Sequence, residues 1–366
     1  MGPAWAELLQ RAAGNVFMDP AALSAARTTN FARIHVLLAW EESQEQSRLV
    51  GLWALQERCI FPLGPRVLAG PPYDYAFLSN PVVDPSCCEA VIAALFGAIE
   101  REPSLPGVLR LKYLDTESDT GAAVLNALAG RGGRCTRLCE RLRPHVSRTF
   151  GLKRSGSTRK KLRQDWNRLS ASGPVDVVNA RADGEVTAAF ETFLAMEAAS
   201  WKGANGTALL SDEEDAIFAR QLLANLSAQQ RASVALLRIG ERPIAAQVLF
   251  YCGSAAYTWK TAFDSEYAKF SPGALLVDRI TDQLFSGDGI ETIDSCSPEG
   301  GFMTQLWEGR RATVDLLADV RGANSLDFTM AILAERGRAQ LRSWRDKLRA
   351  ASFLPAPRRK DFATAR

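Results

Sequence analysis

The densest run of chemically useful side chains is the segment 255–276, AAYTWKTAFDSEYAKFSPGALL. Strand alternation over 255–264 places Tyr257, Trp259, Thr261 and Phe263 on one face and Thr258, Lys260, Ala262 and Asp264 on the other. The first face is bulky and suits a core. The second sets a cation and a carboxylate two places apart along that face, four residues apart in sequence. They either pair along the strand for little energy or form a polar cleft floor, where Lys260 meets an anionic or developing charge. FSPGALL follows. Ser271 is an N-cap residue type, Pro272 suits the first helical turn and Gly273 admits a close backbone approach. A helix starting there would aim its first amides and its positive end at an anion such as a phosphate.

Glu197 is the second such feature. In AFETFLAMEAASWKG, helical spacing puts Val186, Phe190, Phe193 and Leu194 on one stripe, and Glu197 falls on that stripe. A carboxylate on a buried face needs a partner or a cleft. In a cleft, desolvation would raise its pKa and suit it to accept a proton from an amine or hydroxyl. Trp201 and Lys202 follow in an expected loop, where aromatic and cationic groups meet ligands. Gln247 interrupts an otherwise apolar strand and is placed to orient a substrate.

Several other chemistries are excluded. Only His35 and His145 are available, so histidine-dependent triads and histidine-rich metal sites are not expected. The seven cysteines are scattered, and Cys135 and Cys139 have no second Cys/His pair to complete a zinc site. Reduced, mostly buried thiols are expected, with no metal. There is no GxSxG, no GxxxxGK[ST] and no GxGxxG opening a helix. A net charge of +3 gives no global attraction to nucleic acid or membrane. The first residues, MGPAWAELLQRAAG, lack a signal-peptide pattern. No stretch approaches the roughly 20 apolar residues of a membrane span. A cytoplasmic protein is expected.

The elements that must position these residues fill a chain of 366 residues, long enough for two domains. Short helices are expected at 4–13 and 20–27, then β-rich runs RIHVLLAW and RLVGLWALQERCIF around an EESQEQS turn. Pro/Gly-rich 63–85 reads as turns and short edge strands. A helix at 88–101, a strand at 108–113, a helix near 122–129 and a strand near 134–142 complete the first half. KRSGSTRKKLRQDWNRL is a basic helix with Leu162, Trp166 and Leu169 on its apolar face. It either connects two halves or holds an anion. Helices at 185–199 and 212–226 precede strands at 233–239, 244–252 and 255–264, the last two joined by a Gly253-Ser254 turn. A helix from 274 to 285, the strand IETID, a short helix FMTQLWEG and a last strand ATVDLLADV follow, and 331–351 is a basic amphipathic helix. The boundaries drawn are 1–150, a basic linker helix 151–175, 176–330, and a helix and tail 331–366.

The pieces STRKKLRQDWNRL, MEAASWKG, RPIAAQVLFYCGSAAYTWKTAFDSEYAKFSPGALL and ETID, spread over Ser155–Asp294, together resemble the GNAT superfamily. The branch is that of cellulose-biosynthesis-type acetyltransferases, related to the Fem peptidoglycan aminoacyltransferases. The resemblance implies an α/β (α+β) fold of tandem GNAT-like domains, each a mixed, mostly antiparallel sheet flanked by helices, the first degenerate. It implies acyl transfer by direct attack on a thioester, with acetyl-CoA or another acyl-CoA as co-substrate. Carried over by position, Lys260, Thr261, Ala262, Phe263 and Asp264 would line the acyl cleft. Phe270, Ser271, Pro272, Gly273, Ala274 and Leu275 would hold the pyrophosphate through backbone amides. Glu197 or Asp264 would assist deprotonation, a strand amide would polarise the carbonyl, and Trp201, Lys202, Gln247 and Asp294 would meet the acceptor. The usual Arg/Gln-x-x-Gly-x-Gly/Ala signature is replaced by FSPGAL, and Phe302-Met303 stands where many relatives have Tyr-Lys. The implied acceptor is a sugar, sugar nucleotide or related envelope or exopolysaccharide precursor. The alternatives are a Fem-like enzyme using aminoacyl-tRNA, the one case in which nucleic acid would be a partner, and a degenerate scaffold that binds a ligand or partner.

Overall fold

The computed structural model describes residues 2–42, 47–130, 134–153, 155–287, 289–322 and 325–352. The tip of the expected EESQEQS turn and the PAPRRK tail lie outside them. The chain begins with α1 (Gly2–Leu9), α2 (Pro20–Thr28), β1 (Ile34–Glu42), β2 (Ser47–Cys59), β3 (Arg66–Gly70) and β4 (Val82–Val83). Then come α3 (Cys88–Arg101), β5 (Val108–Asp115), α4 (Asp119–Gly130), β6 (Cys135–Ser147), α5 (Ser157–Ser170) and β7 (Val175–Ala180). Next are α6 (Asp183–Ala199), α7 (Trp201–Ala204), α8 (Glu213–Ser227), β8 (Ala232–Ile239), β9 (Arg242–Cys252) and β10 (Ala255–Phe263). The chain continues with α9 (Pro272–Ser286), β11 (Thr292–Asp294), α10 (Phe302–Leu306), β12 (Arg310–Asp319) and α11 (Leu326–Ser352).

These elements form two compact units, neither continuous in sequence. One comprises Met1–Ala12, Ala32–Glu140 and Thr313–Arg366; the other comprises Ala13–Phe31 and Arg141–Ala312. In the first, the strand order is β1-β2-β3-β5-β12, with β4 beside β2. β3 pairs with β5 in parallel, and the other ladders are antiparallel. β3 therefore lies inside the sheet rather than at its edge. The ATVDLLADV strand, expected to close the second half, pairs with β5 of the first through Thr313–Asp319.

In the second unit the order is β6-β11-β10-β9-β8-β7. Only β10 and β11 are parallel there. The expectation of mixed, mostly antiparallel sheets flanked by helices holds. β9 is central and almost wholly buried, consistent with its apolar run. α9 starts at Pro272, whose fixed φ suits a first turn. Its residues Leu276, Val277, Ile280 and Leu284 pack with Leu249, Ala256 and Ile293 of the sheet. Each fully buried aliphatic side chain of this kind contributes about 1.5–3 kcal/mol. α5 adds Leu162 and Leu169 to the same core, with Trp166 half-buried against it. β7, VDVVNA, was absent from the expected elements; its alternating half-exposure gives it the weak signal of an edge strand.

The segment 13–31 belongs to this second unit, which its position in the chain gave no reason to expect. Asn15 accepts the Phe17 N–H and starts a 3₁₀ turn at Val16–Met18, and Asp19 accepts the Ala21 N–H and starts α2. Asp19 also pairs with Arg231, Phe31 stacks on Phe218 at 4.0 Å, and the Gly14 carbonyl accepts the Tyr257 hydroxyl at 2.8 Å. All seven cysteines are free, and Cys135 and Cys139 are exposed rather than buried.

Candidate acyl-transfer site

β10 and β11 pair in parallel for three residues only, from Ala255↔Thr292 to Tyr257↔Asp294. β10 runs on to Phe263, so its edge on the β11 side has no ladder partner from Thr258 onward among the described residues. On its other edge β10 stays paired with β9, with an irregularity between Thr258 and Lys260. That bulge resets the alternation at Trp259. Trp259 and Lys260, expected on opposite faces, come together, with the Lys260 ammonium 5.7 Å from the indole centroid.

Lys260 does not pair with Asp264. Its Nζ lies 3.6 Å from Glu197 Oε1, while Asp264 is 2.7 Å from Arg242, which Glu266 shares. Asp264 also accepts the Glu266 N–H at 3.0 Å and so starts the 3₁₀ turn that leads to α9. Asp264 is thus outside the Lys260 cluster.

Glu197 comes from α6 and is fully buried, at 0% exposure. Lys202 Nζ donates to its Oε1 at 2.9 Å, and the Leu209 N–H donates to its Oε2 at 2.9 Å. Glu197 takes the paired alternative, not the open cleft in which its pKa would rise. Burial raises it, but Lys260, Lys202 and the Leu209 N–H outweigh that effect and hold the carboxyl below its ordinary range. Burial lowers the Lys260 pKa, Lys202 adds to the effect, and Glu197 only partly opposes it.

Lys202 lies in α7, not in a loop, and also donates to the Thr261 carbonyl at 3.1 Å. Ser200 turns the chain back, accepting the Lys202 N–H at 3.2 Å while donating to the Glu197 carbonyl at 2.7 Å. Gly203 completes this turn, since a Cβ there would lie 1.8 Å from the Ala198 carbonyl oxygen. Gly203→Ala should displace Lys202 and cost about 1–3 kcal/mol, read as a lowered denaturation midpoint. An unchanged midpoint would remove the turn's role. Trp201, on the same turn, is 62% exposed.

Gln247 is fully buried across from Thr261. Its amide donates to the Lys260 carbonyl at 3.0 Å and the Val248 carbonyl at 2.8 Å, and it accepts the Thr261 hydroxyl. It braces the bulge. Asp294 sits in a separate buried cluster, bonded to Arg311 at 2.6 Å and the Cys296 N–H at 2.8 Å, with Arg143 at 3.4 Å. Arg311 donates to His145 at 3.0 Å, and burial and Arg311 push that imidazole down to about 4, so it is neutral. Asp294 is therefore already engaged rather than presented to an acceptor.

At the start of α9, Ser271 occupies the N-cap position in a left-handed conformation (φ 52, ψ 48), and its side chain caps nothing. Its carbonyl takes both the Ala274 and Leu275 N–H groups, at 2.9 and 3.1 Å. Pro272 has no N–H, so the Gly273 N–H is left without a partner among the described residues. The expected cradle of several amides is reduced to one. Cationic charge replaces it in part: Lys161 of α5 donates to Ser271 Oγ at 2.8 Å and pairs with Asp165. α5 is fixed against α9 by the Arg159–Asp278 pair and by Arg279 over Trp166 at 4.2 Å. Gly273 rests 3.5 Å, by its virtual Cβ, from Thr261 and 3.6 Å from Phe263, so the helix start lies against the far end of β10.

β10 and β11 thus separate after three pairs, and α9 begins beyond the 3₁₀ turn that follows β10. Residues 156–302 match the acetyltransferase (GNAT) domain family. Over that stretch, less than half of the chain, the sequence resembles a GNAT acetyltransferase domain. No curated protein matches the chain in sequence. Among solved structures, FemX aligns with a TM-score of 0.62 at 12% identity, over 92% of this chain and 98% of that one. A conserved protein of unknown function from Bacteroides thetaiotaomicron aligns with a TM-score of 0.53 at 13% identity, over 87% and 95% of the two chains. At such identities the likeness concerns the fold. The GNAT match spans every predicted site residue from Glu197 to Asp294. Of these, the structure gathers Glu197, Lys202, Gln247, Lys260 and Thr261. Ala262 and Phe263 continue β10, and Phe270, Ser271, Pro272, Gly273, Ala274 and Leu275 form the α9 start. Lys161 belongs to the basic helix for which an anion site was one of two readings, and the Leu209 amide was not among the expected site groups. Lys161 was visible in the basic helix, whereas nothing in the sequence marks a particular backbone amide.

Proposed function

We propose that the GNAT domain transfers an acyl group from an acyl-CoA, acetyl-CoA in the first instance, to an amine or hydroxyl of a sugar or sugar-nucleotide precursor in the cytoplasm. The observation that carries this reading is the separation of β10 from β11 after Tyr257, which frees a strand edge between Lys260 and the start of α9. A thioester lying along that edge would put its carbonyl near the β10 backbone and its phosphates near the Gly273 N–H and Lys161. The acceptor's lone pair forms the new bond to the carbonyl carbon, the C–S bond breaks, and the thiolate leaves. The acceptor's proton passes to the Lys260 amine, whose pKa burial lowers. Glu197, ionised and enclosed, positions Lys260 and Lys202 rather than taking the proton itself. The acceptor class rests on the resemblance of the STRKKLRQDWNRL-to-ETID run to cellulose-biosynthesis-type acetyltransferases.

Calorimetry with acetyl-CoA, longer acyl-CoAs and free CoA tests the donor. Wild type should bind at least one acyl-CoA, and Gly273→Trp, whose indole would cover the helix start, should lose that binding. If none binds, the donor assignment fails. A second reading, a Fem-like aminoacyltransferase fed by aminoacyl-tRNA, is favoured by the basic face of α5 beside this site. It requires tRNA binding whose affinity falls steeply with salt. Silence with both donors would favour a scaffold that binds some other ligand.

A further inference from the structure

α11 packs on the first unit with one face and carries a second apolar face outward. Phe328 and Ala331 are buried in the core with Val67, Val108 and Leu317. Glu335 is buried beside them and paired with Arg110 at 2.7 Å. At 100° per residue, Leu333, Leu341 and Trp344 lie on the opposite side of the helix, within about 80° of one another. They are 61%, 72% and 71% exposed. The stripe is bordered by Arg336 and Lys347 on one flank and Arg345 on the other, all exposed. Over α11 the sequence has six Lys/Arg and three acids, Asp327, Glu335 and Asp346. Glu335 is turned into the protein.

We propose that this outward face of α11 docks on an anionic lipid bilayer, lying flat in the headgroup region. A narrow stripe of Leu and Trp with cations along both flanks matches such a surface in both polarity and charge. A second copy of the helix would set Arg336 and Lys347 against like charges, so self-association is disfavoured. No helix among the described residues is long and apolar enough to cross a membrane. The contact is therefore peripheral, and it is independent of the acyl-transfer reading.

The test is co-sedimentation of the full chain with vesicles. Binding is expected with an equal mixture of phosphatidylcholine and phosphatidylglycerol and not with phosphatidylcholine alone. The triple variant L333S/L341S/W344S should bind at least about tenfold more weakly, and R336E/K347E should also be impaired. These side chains are exposed, and unchanged melting curves would confirm that the variants fold. The proposal is overturned if wild type ignores anionic vesicles or if the triple variant binds them equally. It is also overturned if light scattering finds a dimer that the triple variant dissolves, which would assign the stripe to a second copy.

Discussion

Replacing Glu197 with alanine is expected to be the most destabilising single change in the second unit, costing about 3–5 kcal/mol. The carboxylate is fully enclosed and is the partner of two ammonium groups, at 2.9 and 3.6 Å. Its removal leaves Lys202, Lys260 and the buried Leu209 N–H without their acceptor. Glu197→Gln should cost less, about 2 kcal/mol, because an amide oxygen can still accept from Leu209. The linkage sign gives a second handle. Glu197 has a folded pKa below 4.5, so its stabilisation is fully present above that value and is lost as pH falls through the folded value. Urea unfolding of wild type and E197Q should therefore differ most at neutral pH and converge in acid. A gap that widens on acidification would mean that Glu197 is held neutral, contrary to the ion-pair reading.

This cluster also marks where sequence reasoning succeeds and where it stops. Glu197 was recognisable because a charge on an apolar helical stripe demands a partner. Lys260, Gln247 and Lys202 were recognisable as polar residues in buried or turning contexts. Their mutual arrangement was not. One bulge at Trp259 reassigns the faces of β10, and nothing in AAYTWKTAFD signals it, because bulges depend on cross-strand fit. The sign of the Glu197 shift was likewise hidden. Desolvation is local and can be read from a stripe, but the opposing lysines arrive from β10 and α7. Residue type alone makes Ser271 a side-chain cap, but its backbone is left-handed and its hydroxyl accepts from Lys161 instead. Apart from the short α7, element order was legible in the α6-to-α10 region, where periodicities are long and turns short. The closing strand was misassigned because which sheet a strand joins is a long-range matter. Thr313–Asp319 and 13–31 both join the unit opposite to the one their neighbours in sequence suggest.

Lys260→Ala is expected to lower kcat/KM by about 10²–10⁴, the ordinary contribution of a general base, with a smaller effect on acyl-CoA affinity. The pH profile separates the possible roles of this lysine. Its pKa is lowered from 10.5 by burial, so as a base it gains its active neutral form as pH rises through that lowered value. Wild-type kcat/KM should therefore rise with pH and level off below 10.5. Glu197 favours the charged form of Lys260, so Glu197→Gln should move the rise to lower pH while leaving substantial activity on the plateau. If Glu197 were the base, the same variant would abolish the plateau. Lys260→Arg supplies the remaining contrast, because a guanidinium keeps the charge but cannot accept the proton. An arginine variant as active as wild type would make Lys260 a fixed cation for the developing oxyanion. An arginine variant as impaired as alanine, together with an acid-shifted E197Q profile, is the outcome that the Glu197–Lys260 geometry leads us to expect.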